Sequence, residues 1–208
     1  MEITKISVQA RNPERVNLYV DGKFYRGLDR LVALRLGLKP GLTLSPKLVD
    51  RLENTQTENS AWEWALRILQ TSPKSERDMY RKLERKFEPD LAERVVKKLK
   101  DTDLLDDQRF AERLVGELVN SKTKSKKEIL LKLRQKGIPN DLARGAVGKV
   151  ESEEDAVMKL ALGKSRKLSA DIPWKERYEK VASYLARKGF GYSDIRKVVT
   201  KENLDADV

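Results

Sequence analysis

A near-repeat of about fifty residues constrains the fold of this chain more than any other feature. The stretch LRQKGI begins at Leu133, LARKGF begins at Leu185, and a weaker copy, LERKFE, begins at Leu83. Amphipathic stretches with apolar residues three and four positions apart flank each copy, which is the spacing of helices. Gly137 and Gly189 follow the basic residue in two copies, and glycine closes a helix there at little steric cost. The chain therefore contains three copies of a three-helix unit.

Short polar residues mark where helices of these units begin. Asp90, Asp141 and Ser193 stand at equivalent places before the third helix of each unit, and we predict them as its N-caps. Asp106 is predicted to cap the helix that starts DQRFAE. Asp107 is expected to favour the positive N-terminal end of that helix.

The first fifty residues follow a different pattern. Residues 1–27 alternate apolar and polar positions around an Asp21-Gly22 pair, which predicts a small β-ribbon with a tight turn. Two helical stretches follow, one ended by Gly37 and one with Ser45 as its N-cap and Pro46 at its first position.

The predicted fold is mostly α-helical. Units of about fifty residues bury little core alone, so we expect three tandem three-helix repeats packed into an elongated, curved array, with the β-ribbon as an N-terminal extension. The predicted domains are the β-ribbon with its linking helices and the three repeats, at residues 1–57, 58–104, 105–150 and 151–208.

Several kinds of chemistry are excluded or unsupported. The chain has no cysteine and no histidine, which removes disulfides and thiolate or imidazole sites. The GKS at residues 163–165 has Met158 where a phosphate-binding loop needs glycine, and a calcium loop starting at Asp101 would have Leu105 at a ligand position. We expect no enzymatic activity, no cofactor and no metal site.

No apolar run is long enough for a membrane helix or a signal peptide, so we expect a cytoplasmic protein.

Positive charge is concentrated in one stretch. The chain carries a net charge of +11, and residues 121–150 have nine basic side chains against only Glu128 and Asp141. A local basic face is typical of a protein that binds a polyanion such as DNA, although a solvated helix face explains any single lysine. Aromatic residues are scarce in this stretch, so base stacking is not expected there. The residues that we predict to bind are Lys122, Lys124, Lys126, Lys127, Lys132, Arg134, Lys136, Arg187 and Lys188.

Four segments together resemble a known family. Between about Ser60 and Val199, the order and spacing of four segments are similar to those of the RecX regulatory proteins of bacterial recombination. These segments are SPKSERDMYRKL, LLDDQRFAERLV, LLKLRQKGI and YLARKGFGYSDIRKVV. The DDxRFA element at Asp106–Ala111 is the most specific part, and the strand-like N-terminus fits members that carry such an extension. Lys132 departs from the family, in which an acidic residue is common at this position.

The resemblance implies a modulator of the RecA recombinase. Such a protein lies in the groove of the RecA–DNA filament and inhibits ATPase and strand exchange, although groove binding alone also allows stimulation. We expect a monomer whose partners are the filament and nonspecifically bound single- and double-stranded DNA. We assign Phe110, Leu133 and Phe190 to the core rather than to contacts.

Two alternatives from other classes stay open. One is a sequence-nonspecific DNA-binding or architectural protein without a recombinase partner. The other is an inert helical scaffold whose charge confers solubility. Salt-dependent binding to bare DNA would exclude the scaffold, and dependence on a recombinase filament would separate the remaining two.

Overall fold

The described part of the structure, a computed structural model, comprises residues 1–169 and 171–205. It divides into two compact units. The first unit contains residues 1–73 and 80–99, and the second contains residues 74–79 and the chain from residue 100 onward. Three strands are followed by helices, which confirms a mostly helical fold with a small N-terminal sheet.

The N-terminal sheet is an antiparallel meander of β1 (Ile3–Gln9), β2 (Asn12–Val20) and β3 (Lys23–Asp29). Asp21 and Gly22 have φ angles of 48° and 78°, which gives the predicted two-residue turn the twist that antiparallel strands require. Alternation along the strands directs one face into the core of the first unit, where it packs with the following helices. The buried residues of this core are Ile3, Val16, Leu18, Val20, Leu28, Val32, Ala33, Leu44 and Leu52.

The second helix after the sheet is longer than the sequence suggests. After α1 (Arg30–Arg35), α2 runs from Pro46 to Thr71, so it passes through residue 57, where we placed the end of the linking helices. Ser45 caps it as predicted, because its Oγ accepts the Leu48 N–H at 3.3 Å. Polar side chains at the middle of α2 pair with a buried carboxylate. Two amide groups, Gln56 Nε2 and Asn59 Nδ2, donate to Asp29 Oδ2 at 2.6 and 2.9 Å.

Three three-helix repeats follow in tandem, as predicted. The first consists of the end of α2 with α3 and α4, the second of α5 to α7, and the third of α8 to α10, with a short α11 after it. The bounds are α3 (Glu76–Leu83), α4 (Pro89–Asp101), α5 (Asp107–Asn120), α6 (Lys126–Gln135), α7 (Asn140–Gly148), α8 (Glu154–Ser165), α9 (Trp174–Arg187), α10 (Tyr192–Val198) and α11 (Lys201–Asp205).

The core assignments hold for two of the three residues that we singled out. Leu133 and Phe190 are buried in the cores of the second and third repeats. Phe110 is only half-buried and packs against the edge of the second core. Its truncation therefore removes less buried surface than a full core position would.

The predicted caps of the third helices are wrong, whereas the cap of α5 is confirmed. Asp90, Asp141 and Ser193 lie inside the first turns of α4, α7 and α10, which begin one residue earlier. Prolines explain two of these shifts: Pro89 is the first residue of α4 and Pro139 precedes α7, and the fixed φ of proline favours a helix start. Asp106 Oδ1 accepts the Arg109 N–H at 2.9 Å and so caps α5.

Within the second unit, two buried serines join the ends of successive middle helices. Ser75 Oγ accepts the Asp78 N–H at 3.1 Å and donates to the carbonyl of Lys136, the residue that ends α6, at 2.5 Å. Ser125 repeats the arrangement: its Oγ accepts the Glu128 N–H at 3.1 Å and donates to the Lys188 carbonyl at the end of α9, at 2.7 Å. We call these contacts the first joint and the second joint.

A carboxylate completes each joint. Asp107 Oδ1 accepts the Glu76 N–H at 2.9 Å in the first joint, and Glu153 Oε1 accepts the Lys126 N–H at 2.6 Å in the second. Asp107 therefore serves the first turn of α3 in addition to lying in the first turn of its own helix, a role that the sequence did not indicate. Each joint pairs helix-end donors and acceptors that have no partner within their own helix.

The glycines of the repeat motif allow the two helix ends of each joint to lie close together. Gly137 and Gly189 have φ angles of +85° and +90°, and each lies under the N-terminal turn of another middle helix. A Cβ on Gly137 would lie 2.4 Å from Arg77 Cδ, and one on Gly189 would lie 2.9 Å from Ser125 Oγ. Glycine is thus required both for the backbone conformation and for the closeness of the joint.

We expect Ser125→Ala to disturb two helices at once. The change removes the α6 cap, which is worth about 0.5–2 kcal/mol, and leaves the partly buried Lys188 carbonyl without its Ser125 donor, at a further cost of up to about 1–3 kcal/mol. Hydrogen exchange read by mass spectrometry should show faster exchange at the start of α6 and also around residues 185–190. Ser45→Ala is the matched control, because Ser45 caps α2 through Leu48 with similar backbone angles. An S125A protein whose α9 exchanges as slowly as before would contradict the joint.

We also expect Asp107→Asn to change how stability depends on pH. Burial raises the pKa of the Asp107 carboxyl, against the opposing effect of the hydrogen bond from the Glu76 N–H. The folded state therefore holds this proton more tightly than the unfolded state. Its contribution to the free energy of unfolding is full below the unfolded pKa of about 3.9 and is lost as pH rises through the raised folded pKa.

Asparagine keeps an oxygen for the Glu76 N–H and has no charge. Urea unfolding at a series of pH values should show D107N gaining on the unchanged protein as pH rises from about 3 to 7. Asp107→Ala serves as the comparison, since it loses the acceptor and should be destabilised by about 1–3 kcal/mol at neutral pH. Parallel pH profiles for D107N and the unchanged protein would exclude a raised pKa at this position.

Candidate nucleic-acid interface

Three of the nine predicted basic residues lie beside the acidic start of α8. Lys122, Lys124 and Lys126 line an open groove of about 420 Å³ whose opposite side carries Glu153, Glu154 and Asp155. Lys122 Nζ lies 2.6 Å from Asp155 Oδ2, and Lys124 Nζ lies 3.5 Å from Glu128 Oε1. Lys122 and Lys124 therefore have carboxylate partners, and that of Lys122 lies in the next repeat, where the local sequence did not reveal it.

A second group occupies the exposed surface of α6. Lys127, Lys132 and Arg134 are all exposed, and neither lysine has a carboxylate within 4 Å among residues 1–169 and 171–205. Arg134 Nε donates to Asn140 Oδ1 at 2.8 Å, a neutral partner that leaves its charge uncompensated. Leu131, with 54% of its surface exposed, lies among them. We call Lys127, Leu131, Lys132 and Arg134 the α6 surface.

The remaining predicted residues lie at the joints. Lys136 ends α6 at the first joint, and its Nζ lies 3.7 Å from Asp78 Oδ2. Arg187 and Lys188 end α9 at the second joint, where the stem of Lys127 passes over Gly189. The second joint thus brings Lys127 close to a stretch of chain, more than fifty residues away in sequence, that carries two further cations.

Sequence reasoning missed Arg77, which occupies the first joint as Lys127 occupies the second. Its side chain lies over Gly137, next to Lys136. A signal for both positions is present in the sequence: SERD at residues 75–78 and SKKE at 125–128 share the serine and acidic residue of a helix-capping box. The residue two places after each serine is the one that lies over the glycine.

The acidic cluster near residue 101 supports helices. Asp106 and Asp107 are used by α5 and by the first joint, as described above, and Lys100 Nζ pairs with Glu76 Oε2 at 2.9 Å beside them. In the described ranges, no set of three or more acidic side chains is arranged to hold a metal ion. The helices described here include none that is long and apolar enough to cross a membrane.

Family models match along the whole repeat region and the sheet. They describe the N-terminal domain of the regulatory protein RecX at residues 1–45, and its first, second and third three-helix domains at 61–99, 106–147 and 151–199. The chain belongs to the RecX family of regulatory proteins.

Similar RecX proteins span nearly the same length. The regulatory protein RecX of Clostridioides difficile is 30% identical over 200 residues, which cover 96% of this chain and 94% of the relative. That of Clostridium tetani is 30% identical with the same coverage of both chains. A crystal structure of a regulatory protein RecX matches 95% of this chain and 98% of its own with a TM-score of 0.82, at 28% identity. The sheet and all three repeats are therefore part of the architecture of RecX.

Proposed function

We propose that this RecX chain binds the RecA–DNA filament and lowers its ATPase and strand-exchange activity. The observation that carries the proposal is the α6 surface, on which two lysines without carboxylate partners and an arginine surround an exposed leucine. DNA phosphates would satisfy the cations, and a protein surface beside the DNA would cover the leucine. A nucleoprotein filament offers both, whereas bare DNA offers only the first.

The nine predicted residues do not contribute equally in this proposal. Lys127, Lys132, Arg134, Arg187 and Lys188 are the principal phosphate contacts, and Arg77 extends the set to the first joint. Lys122, Lys124 and Lys136 already have carboxylates within 4 Å, and Lys126 lines the groove that also carries Glu153, Glu154 and Asp155. A phosphate would have to displace these carboxylates, so we expect smaller contributions from them.

Inhibition follows if the repeats hold their cations at fixed separations. At the second joint Ser125 fixes the start of α6 to the end of α9, and Glu153 fixes it to the start of α8. A ligand changes an equilibrium only by binding one state more tightly than another. A surface with fixed spacing would bind the filament state that matches it, and ATP turnover would slow because each cycle leaves that state.

The decisive assay is the single-stranded-DNA-dependent ATPase of RecA, titrated with this protein. We expect the rate to fall at ratios well below one RecX per recombinase protomer, because one bound molecule restrains a filament segment. A rate that rises at such ratios would show stimulation. A rate that changes only when the protein is abundant enough to coat the DNA would favour the alternative, a nonspecific DNA-binding protein.

We expect the variant Lys127→Gln, Lys132→Gln, Arg134→Gln to lose most of this effect. For single-stranded DNA each lost phosphate contact should reduce the slope of log K against log salt by about 0.7, so three lost contacts reduce it by about 2. The matched control is Lys122→Gln, Lys124→Gln, whose lysines have carboxylate partners. Fluorescence anisotropy with filaments formed on labelled DNA measures both. Equal losses in the two variants would argue for a diffuse charge effect instead of the α6 surface.

A further inference from the structure

The outward face of the N-terminal sheet carries an aromatic and cationic row that the core does not use. Lys5 lies opposite Tyr19 in the β1–β2 pair, and Tyr19 lies opposite Phe24 in the β2–β3 pair, so the three side chains cross the sheet on one face. The rings of Tyr19 and Phe24 meet edge to face with centroids 5.9 Å apart. Lys5 Nζ lies 5.6 Å from the Tyr19 ring centre.

The rings of this row are accessible to a ligand. Phe24 has 60% of its surface exposed and the adjacent Tyr25 has 37%. A single exposed aromatic residue is ordinary. Here the exposed ring is held by an aromatic neighbour on a hydrogen-bonded sheet, which gives it a fixed orientation at little entropic cost.

The next row of residues on the same face has short or polar side chains. Ser7, Asn17 and Gly27 lie across the three strands in register, and Gln9 Nε2 donates to Asn17 Oδ1 at 2.7 Å. A Cβ on Gly27 would lie 2.9 Å from Gln9 Nε2, so the glycine lets this amide lie flat over the sheet. The side-chain amides of Gln9 and Asn17 therefore lie close to the backbone beside the aromatic row, where they can contact the edge of a base stacked on that row.

The cation of the aromatic row, Lys5, has no carboxylate partner. Among the residues that the structure describes, Lys5 has no acidic oxygen within 4 Å. Asp21 in the adjacent turn is engaged, since its Oδ1 accepts the Glu2 N–H at 2.8 Å. By contrast, Arg15 at the far end of the face lies 3.6 Å from Asp29 Oδ1. The free positive charge is therefore at the aromatic end.

We propose that this face of the sheet binds single-stranded nucleic acid, with a base stacked on Phe24 and a flanking phosphate held by Lys5. Stacking on an aromatic ring requires an unpaired base, and cations beside the ring suit the phosphates that flank it. The face belongs to the first unit, whereas the α6 surface belongs to the second. The proposal does not depend on the proposed function, because it needs no recombinase.

Photocrosslinking locates the site directly. The full-length protein is irradiated with a short oligonucleotide that contains 5-iodouracil, and the attached peptides are identified by mass spectrometry. We expect crosslinks at Phe24, Tyr25 or Tyr19. Crosslinks confined to residues outside 1–29, or the absence of any crosslink at low salt, would overturn the proposal.

Anisotropy with labelled oligothymidine measures the contribution of the ring. The background is the protein with Lys127→Gln, Lys132→Gln and Arg134→Gln, so that the α6 surface does not mask the sheet. Phe24→Ala should bind at least about fivefold more weakly, and Phe24→Trp should restore binding because it keeps a flat ring. Phe24→Leu should not restore it, since leucine is apolar without being flat.

Tyr192→Ala is the matched control, because Tyr192 is 65% exposed on the third repeat and should be neutral. Circular dichroism would show that all the variants are folded. Unchanged binding by F24A would overturn the proposal. So would a loss that appears only with RecA filaments and not with bare oligonucleotide, since that result would assign the face to a protein contact. Failure of the proposed function would instead appear as an ATPase rate that does not respond to the unchanged protein.

Discussion

The second unit depends on a hydroxyl group that serves two helices at once. At each joint a buried serine accepts an N–H from its own helix and donates to the last carbonyl of another. Helix ends carry donors and acceptors without partners, so joining an N-terminus to a C-terminus satisfies both without water. Each bond contributes only about 0.5–1.5 kcal/mol net, whereas a buried group left unpaired costs about 1–3 kcal/mol. The joints therefore act mainly by making any other alignment of these helix ends within the second unit unfavourable.

The same joints place positive charge. Lys136 and Lys188 end α6 and α9, where a cation interacts favourably with the negative end of the helix dipole. Arg77 and Lys127 reach the same places from the capping turns of α3 and α6 because the glycine beneath them has no side chain. Basic residues from two repeats thus meet for reasons of helix stability, and a binding surface arises where they are also left without carboxylates.

Much of this fold could be predicted from the sequence, because helix periodicity, glycine after a helix and an Asp-Gly turn act locally. The misplaced caps of α4 and α7 have a local cause in neighbouring prolines, whereas other errors share a cause in long-range pairing. The boundary predicted at residue 57 falls inside α2, whose polar middle pairs with Asp29, about thirty residues earlier. Lys122 looked free because its partner, Asp155, lies in the next repeat. Asp107 looked like a simple helix-start residue because the N–H that it accepts belongs to α3.

These ion pairs lower the number of cations in the basic stretch, residues 121–150, that are available to bind a polyanion. Of its nine basic side chains, four have a carboxylate within 4 Å in the part of the chain that the structure describes, namely Lys122, Lys124, Lys136 and Lys149. Exposed ion pairs of this kind are worth about 0–1 kcal/mol. A phosphate that replaces the carboxylate exchanges one such pair for another, so these lysines add little to the binding free energy. The unpaired cations give up nothing on binding. The net charge of the stretch therefore overstates its attraction for a polyanion, and the α6 surface should account for most of that attraction, although it holds only three of the nine cations.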